Sequence, residues 1–184
     1  MKANPHEEVV KNALGHPNIK GIEVASLGEI EIVRQGEKFI GSNKVIYTGP
    51  SKQPYELEYS VENGIKYINI ESETEAHRVD DIAIRKGATQ DVLLRLNIKQ
   101  KYKEGEVGVV IANGNTQFGV PLSEVKKILG KFDDSVNMNI KGFHIYPTTG
   151  VINPAVLLES VAHSFEYIRN LERELDREFS VLDF

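Results

Sequence analysis

The chain has 184 residues, 40% of them hydrophobic and 27% charged, with a formal net charge of −5 at pH 7, the profile of a single globular domain with room for a sizeable core. The acidic balance and the lack of any basic run argue against nucleic acid or an anionic membrane as partner. There is no cysteine, hence no disulfide framework and no thiolate metal site; no apolar run approaches the roughly 18 residues of a bilayer span and no signal pattern opens the chain, so a cytoplasmic location is expected.

In chain order, Met1-Lys2-Ala3 reads as the tail of a strand. Further strands are predicted over residues 21–25, 44–48, 66–70, 91–98 and 139–146, and another begins over 179–183. Continuous apolar runs such as Val92-Leu93-Leu94 suit a sheet covered on both faces. Ser72-Glu73-Thr74-Glu75 reads as a capping box, with Ser72 capping a helix amide and Glu75 reaching back, and Gly87 is a natural left-handed stop for that helix. Residues 99–117 are glycine-rich and lack a clear period, so they read as an elaborated loop after a strand. Pro121 opens a helix that stops near Gly130. Asn153 and Pro154 make an N-cap and N1 pair for the longest helix, whose predicted apolar stripe is Leu158, Val161, Phe165, Ile168, Leu171 and Leu175.

Strand–helix alternation at this spacing means parallel βαβ units, in either an open doubly wound sheet or a (β/α)8 barrel. Polar side chains recur at the carboxyl ends of the strands: Glu23, Thr48, Glu71, Arg95 and His144. In a barrel such ends converge on one site, whereas an open sheet spreads them along an edge, so the pattern favours the barrel. Seven strands are counted where a closed barrel has eight. The expected fold is therefore α/β, a partial (β/α)8 barrel from the end of strand 1 to the start of strand 7, with residues 1–184 as one partial barrel domain.

Several segments in order resemble one family. They are Met1-Lys2-Ala3-Asn4-Pro5, Glu23-Val24-Ala25-Ser26-Leu27-Gly28-Glu29, Tyr47-Thr48-Gly49-Pro50-Ser51-Lys52, Asn69-Ile70-Glu71-Ser72, Leu94-Arg95-Leu96-Asn97, Gln117-Phe118-Gly119-Val120 and Gly142-Phe143-His144-Ile145. Together they are similar to the alanine-racemase-like, fold-type III pyridoxal phosphate decarboxylases, which include the diaminopimelate and ornithine decarboxylases. The Gln117-Phe118-Gly119 and Phe143-His144-Ile145-Tyr146 versions look closest to a branch serving secondary metabolism, in which members act on a carrier-protein-bound amino acid. The resemblance implies a fragment of an amino-acid decarboxylase with pyridoxal 5′-phosphate as cofactor, a free or carrier-bound amino acid as substrate and a homodimer as the full-length state. Against the family pattern, the glycine turn that follows the strand of Asp183, the eighth strand and the C-terminal β-domain are absent from these residues. Tyr146-Pro147-Thr148-Thr149-Gly150 also replaces the family's Gly-Ser or Gly-Thr pair.

The resemblance assigns roles, each beside a plainer reading. Lys2 would form the Schiff base with the cofactor; read alone, it is a solvated terminus. His144 would stack on the pyridine ring, or be a strand histidine tucked against the sheet. Arg95 would lie near the cofactor, or form an internal ion pair with Glu23 or Glu71. Glu23 would help position Lys2, or be a structural acceptor. Thr149 would donate to the phosphate, or cap the turn before the long helix. No metal is expected, since His6, His16, His77 and His163 fit no ligand spacing. A racemase on the same barrel and a non-catalytic cofactor-binding module are the alternatives.

Overall fold

The computed structural model describes residues 1, 4–19, 21–35, 42–99, 108–112 and 116–184. The first elements are α1 (Glu7–Gly15), β1 (Ile22–Val24), α2 (Leu27–Gln35), a 3-10 turn at Ser42–Lys44, β2 (Val45–Tyr47), α3 (Pro54–Glu62) and β3 (Tyr67–Ile70). There follow α4 (Glu73–Lys86), β4 (Gln90–Asn97), β5 (Val109–Val110), β6 (Val120–Pro121), α5 (Leu122–Lys131), β7 (Met138–His144), β8 (Thr148–Thr149), α6 (Pro154–Leu175) and β9 (Val181–Asp183). The main sheet runs β1-β2-β3-β4-β7-β9 with every pairing parallel, and β6 joins the carboxyl end of β4.

That sheet is curled. Strands β1 and β9 stand at its opposite edges, which in a flat sheet would separate them by about 24 Å at the usual strand spacing. Yet ligand atoms of Glu23 on β1, His144 on β7 and Asp183 on β9 all lie within 4.8 Å of one another. An open sheet cannot do this, so the barrel alternative holds, as a half-barrel with both strand edges turned toward one site. Arg95 and His144 are register partners on β4 and β7, which puts them at the same end, as expected.

Local chemistry explains the joints. Ser72 accepts the Glu75 amide at 3.1 Å, and Gly87 ends α4 at φ 60°. Glu75 does not close the expected capping box. Its carboxylate accepts the Glu71 amide at 2.7 Å and the buried Lys52 ammonium at 2.9 Å, because a buried cation requires an anionic partner. In β7 the register slips by one residue opposite Val92 and Leu93. A Cβ on Gly142 would sit 1.8 Å from the Val181 carbonyl oxygen, so only glycine lets β9 pair there.

Two expectations change. The stripe of α6 is rotated: its buried residues are Val156, Ser160, Ser164, Ile168 and Leu171, while Leu158 and Phe165 are exposed. Small serines let the helix lie close to the sheet, and Ser164 satisfies its hydroxyl by donating to the Ser160 carbonyl. The loop predicted over 99–117 contains β5, which pairs antiparallel with β8 and so ties that loop to the segment after β7.

Candidate functional site

A cavity of about 230 Å³ opens at the carboxyl ends of the strands, lined by Met1, Glu23, Val24, Thr48, Arg95, His144, Tyr146 and Phe184. Small-molecule sites typically run to ~300–1,000 Å³, so this cavity suits one compact ligand. Apart from Met1, each wall residue lies on a strand or just after one. Glu23 sits on β1, and its carbonyl accepts the terminal ammonium of Met1 at 3.0 Å. Thr48 follows β2 and is buried, with its amide bonded to the Val24 carbonyl. His144 ends β7, only 2% exposed, and pairs in register with Arg95 on one side and Asp183 on the other.

Arg95 resolves one open choice. Its guanidinium donates to the Glu71 carboxylate at 2.8 Å, with both side chains about 6% exposed, and lies 4.9 Å from the centre of the Phe118 ring. The internal ion pair is therefore with Glu71. Its other carboxylate oxygen accepts the Gly119 amide at 3.1 Å. Arg95 still lines the cavity, as a charge of fixed direction.

Asp183 is the residue that sequence reasoning missed. Burial pushes its carboxyl above the ordinary aspartate range, and the Asn69 amide beside it draws it partly back. The contact stops short of a complete hydrogen bond: both side-chain polar atoms of fully buried Asn69, and Oδ2 of Asp183, have no partner among the described residues. Buried polar atoms in that state are rare and costly, and they mark where a ligand atom or ordered water would be accepted. The signal for Asp183 lay in the barrel register, which sets it level with His144.

The other expected residues are placed as follows. Lys2 lies outside the described residues. Thr149 is on β8, exposed and absent from the cavity wall, and its carbonyl accepts the Gly108 amide at 2.9 Å. The four histidines set aside in the sequence take no part in the cavity, and the fifth, His144, does. The donor set fits pyridoxal phosphate: a buried imidazole for a flat aromatic ring, and the Glu23 carboxylate and Arg95 guanidinium beside it for polar atoms, with the Asp183 carboxyl within 4.8 Å of Glu23 and His144.

Comparison with known proteins agrees. The family model for the pyridoxal-binding domain of pyridoxal-dependent decarboxylases matches residues 1–184. A 2-[(L-alanin-3-ylcarbamoyl)methyl]-2-hydroxybutanedioate decarboxylase of Staphylococcus aureus is 32% identical over 146 residues, covering 79% of this chain and 35% of that protein. An L-glutamyl-[BtrI acyl-carrier protein] decarboxylase of Niallia circulans is 27% identical over 151 residues, covering 82% and 34%. In fold, the chain superposes on diaminopimelate decarboxylase from Helicobacter pylori, solved with L-lysine, at a TM-score of 0.81 and 18% identity, covering 97% of this chain and 44% of that one. The chain thus spans about a third of the length of these curated relatives. With the curled parallel sheet and the convergent strand ends, these matches establish that the chain belongs to the pyridoxal-dependent decarboxylase family, over its pyridoxal-binding domain.

Proposed function

We propose that residues 1–184 form one domain that holds pyridoxal 5′-phosphate within an amino-acid decarboxylase, acting on a free or carrier-protein-bound amino acid. The observation that carries this is that Glu23, Arg95 and His144 line one cavity, with Asp183 from the far edge of the sheet brought within 4.8 Å of Glu23 and His144. The relative named for a carrier-protein-bound glutamyl group supports the carrier-bound form, and the diaminopimelate decarboxylases among the relatives support the free one. We further propose a cytoplasmic protein that works as a homodimer in full-length form; among the described residues no helix is long and apolar enough to cross a membrane.

When bound, the cofactor supplies an aldehyde that captures the substrate amine and a ring that carries the electrons left as carbon dioxide departs. The chain's residues hold and orient that ring. We assign Lys2 as the amine that anchors the cofactor, on the family resemblance of Met1-Lys2-Ala3-Asn4-Pro5. His144, fixed between β4 and β9, presents an imidazole against a ring face. Glu23 sets polar contacts on the β1 side. Asp183, whose carboxyl burial raises above the ordinary aspartate range, sets a polar contact on the β9 side. Arg95, neutralised by Glu71, orients the site.

The test is cofactor loading followed by borohydride reduction and peptide mass mapping. The expected result is one cofactor mass on the peptide containing Lys2, lost in Lys2→Ala. A reduced adduct that persists in that variant overturns the assignment. The 184 residues alone are expected to release no carbon dioxide. Racemisation without carbon dioxide release by the full-length protein would replace the decarboxylase reading with the racemase one.

A further inference from the structure

Beside the cavity stands a polar network of which the roles above use only the Arg95–Glu71 pair. Glu71 follows β3 with its carboxylate almost fully buried, and it binds two unlike donors: the Arg95 guanidinium from β4 and the Gly119 amide from the entry to β6. The Arg95 guanidinium also lies over Phe118. Gly119 has φ +75°, and a Cβ there would meet the Arg95 carbonyl at 2.9 Å and Arg95 Cγ at 3.2 Å, so both conformation and space require glycine. The Asn97 amide donates to the carbonyl and hydroxyl of Thr116 at 3.2 Å, and Val120 pairs with Leu96. Residues 116–121 are thus strapped across the end of β4 beside Arg95.

Glu71 is itself held from behind. Its amide donates to Glu75, whose second oxygen takes the Lys52 ammonium. Lys52 is 3% exposed and spends its remaining donors on the carbonyls of Gly49 and Asn69, at 2.8 and 2.6 Å. The ends of β2 and β3, the start of α4, Arg95 on β4 and the strap before β6 therefore form one hydrogen-bonded chain.

We infer that Glu71 is a positioning residue: it clamps Arg95 and the 116–121 strap together, and this clamp sets the shape of the β4 side of the cofactor cavity. The clamp is independent of the proposed function, and its effect on cofactor binding rests on that reading. Without the carboxylate, the Arg95 charge is buried unpaired and the Gly119 amide loses its acceptor. With it, any anionic group arriving at Arg95 must share the guanidinium with Glu71, so Arg95 acts on a ligand through its fixed direction.

The test compares wild type with Glu71→Gln, Glu71→Asp and Gly119→Ala. Glutamine keeps the size but opposes the guanidinium with an amide; aspartate keeps the charge but is one methylene short. Gly119→Ala displaces the strap and leaves Glu71 intact. Amide exchange over residues 116–121 is expected to rise roughly ten-fold or more in Glu71→Gln and Gly119→Ala, with β3 and β7 unchanged. Pyridoxal phosphate, titrated by its visible absorbance, is expected to bind roughly ten-fold more weakly in both, with a displaced absorbance maximum, and Glu71→Asp is expected to recover part of both effects. Unchanged exchange in both variants overturns the clamp. Faster exchange with unaltered cofactor affinity and spectrum overturns its role in the site. If wild type fails to bind the cofactor, the proposed function falls and the exchange arm alone decides the clamp.

Discussion

Among the described residues, two hydrophobic clusters of this half-barrel differ in size and in what they support. The larger joins β3, β4 and β7 to α3, α4, α5 and α6, with Leu94, Phe143 and Ile128 fully buried in it. The smaller lies under β1 and β2 and is made by Val10, Leu14, Val24, Ile30, Val33, Val45, Tyr47 and Ile65. Arg95, Glu71 and His144 belong to elements of the first cluster, and Glu23 and Met1 to the second. One cavity is therefore walled by elements of two clusters of unequal size. Apolar burial is the main favourable term in folding, so the β1 side should open locally at less cost than the rest.

Two matched truncations break or sharpen that contrast. Phe143 is fully buried, with its ring centre 4.5 Å from that of Phe179. Phe143→Ala is expected to cost about 3–5 kcal/mol and to lower the midpoint of the whole urea transition. Ile30→Ala, at an equally buried position of the smaller cluster, is expected to cost about 2–4 kcal/mol. Its faster amide exchange should be confined to α1, β1 and α2. A single cooperative loss in Ile30→Ala, with β4 and β7 exchanging alongside, would show that the clusters form one unit.

The same contrast governs what was legible in the sequence. The larger cluster comes from continuous apolar runs, and its strands lie within one or two residues of their predicted bounds: residues 91–98 against Gln90–Asn97, and 139–146 against Met138–His144. Glu23, Arg95 and His144 were legible because strand ends in a parallel barrel share one face. What escaped depends on contacts far apart in sequence. The face of α6 was misjudged because Ser160 and Ser164, polar by residue type, are buried by close helix–sheet approach. Glu75 was read as a local cap because Lys52, which claims it, is 23 positions away. Asp183 escapes because only the curl of the sheet brings β9 round to Glu23 on β1.

A smaller effect is expected where β9 joins the larger unit. Gly142→Ala places a methyl group against the Val181 carbonyl, so β9 must shift or unpair. Overpacking of this kind costs about 1–3 kcal/mol. The exchange of residues 181–183 should rise while the pairing of β4 with β7 persists. If β4 and β7 loosen equally, β9 is integral to the larger unit and not an attached edge.

The smallest effect concerns Asp183, where the two walls meet. Its carboxyl is raised in the folded chain by burial. A group raised on folding contributes stability that is full below its unfolded pKa, about 3.9 for aspartate, and is lost as pH rises through the folded value. Wild type should therefore lose stability above about pH 4 by an amount that Asp183→Asn, which does not titrate, does not lose. The titratable groups facing Asp183 are Glu23 and His144. The comparison is cleanest between about pH 3.5 and pH 5.5, below the usual histidine transition. There the variant's stability relative to wild type should climb with pH, by on the order of 1 kcal/mol or less, read from urea midpoints. A difference that stays flat across that window would mean that Asp183 is ionised without penalty.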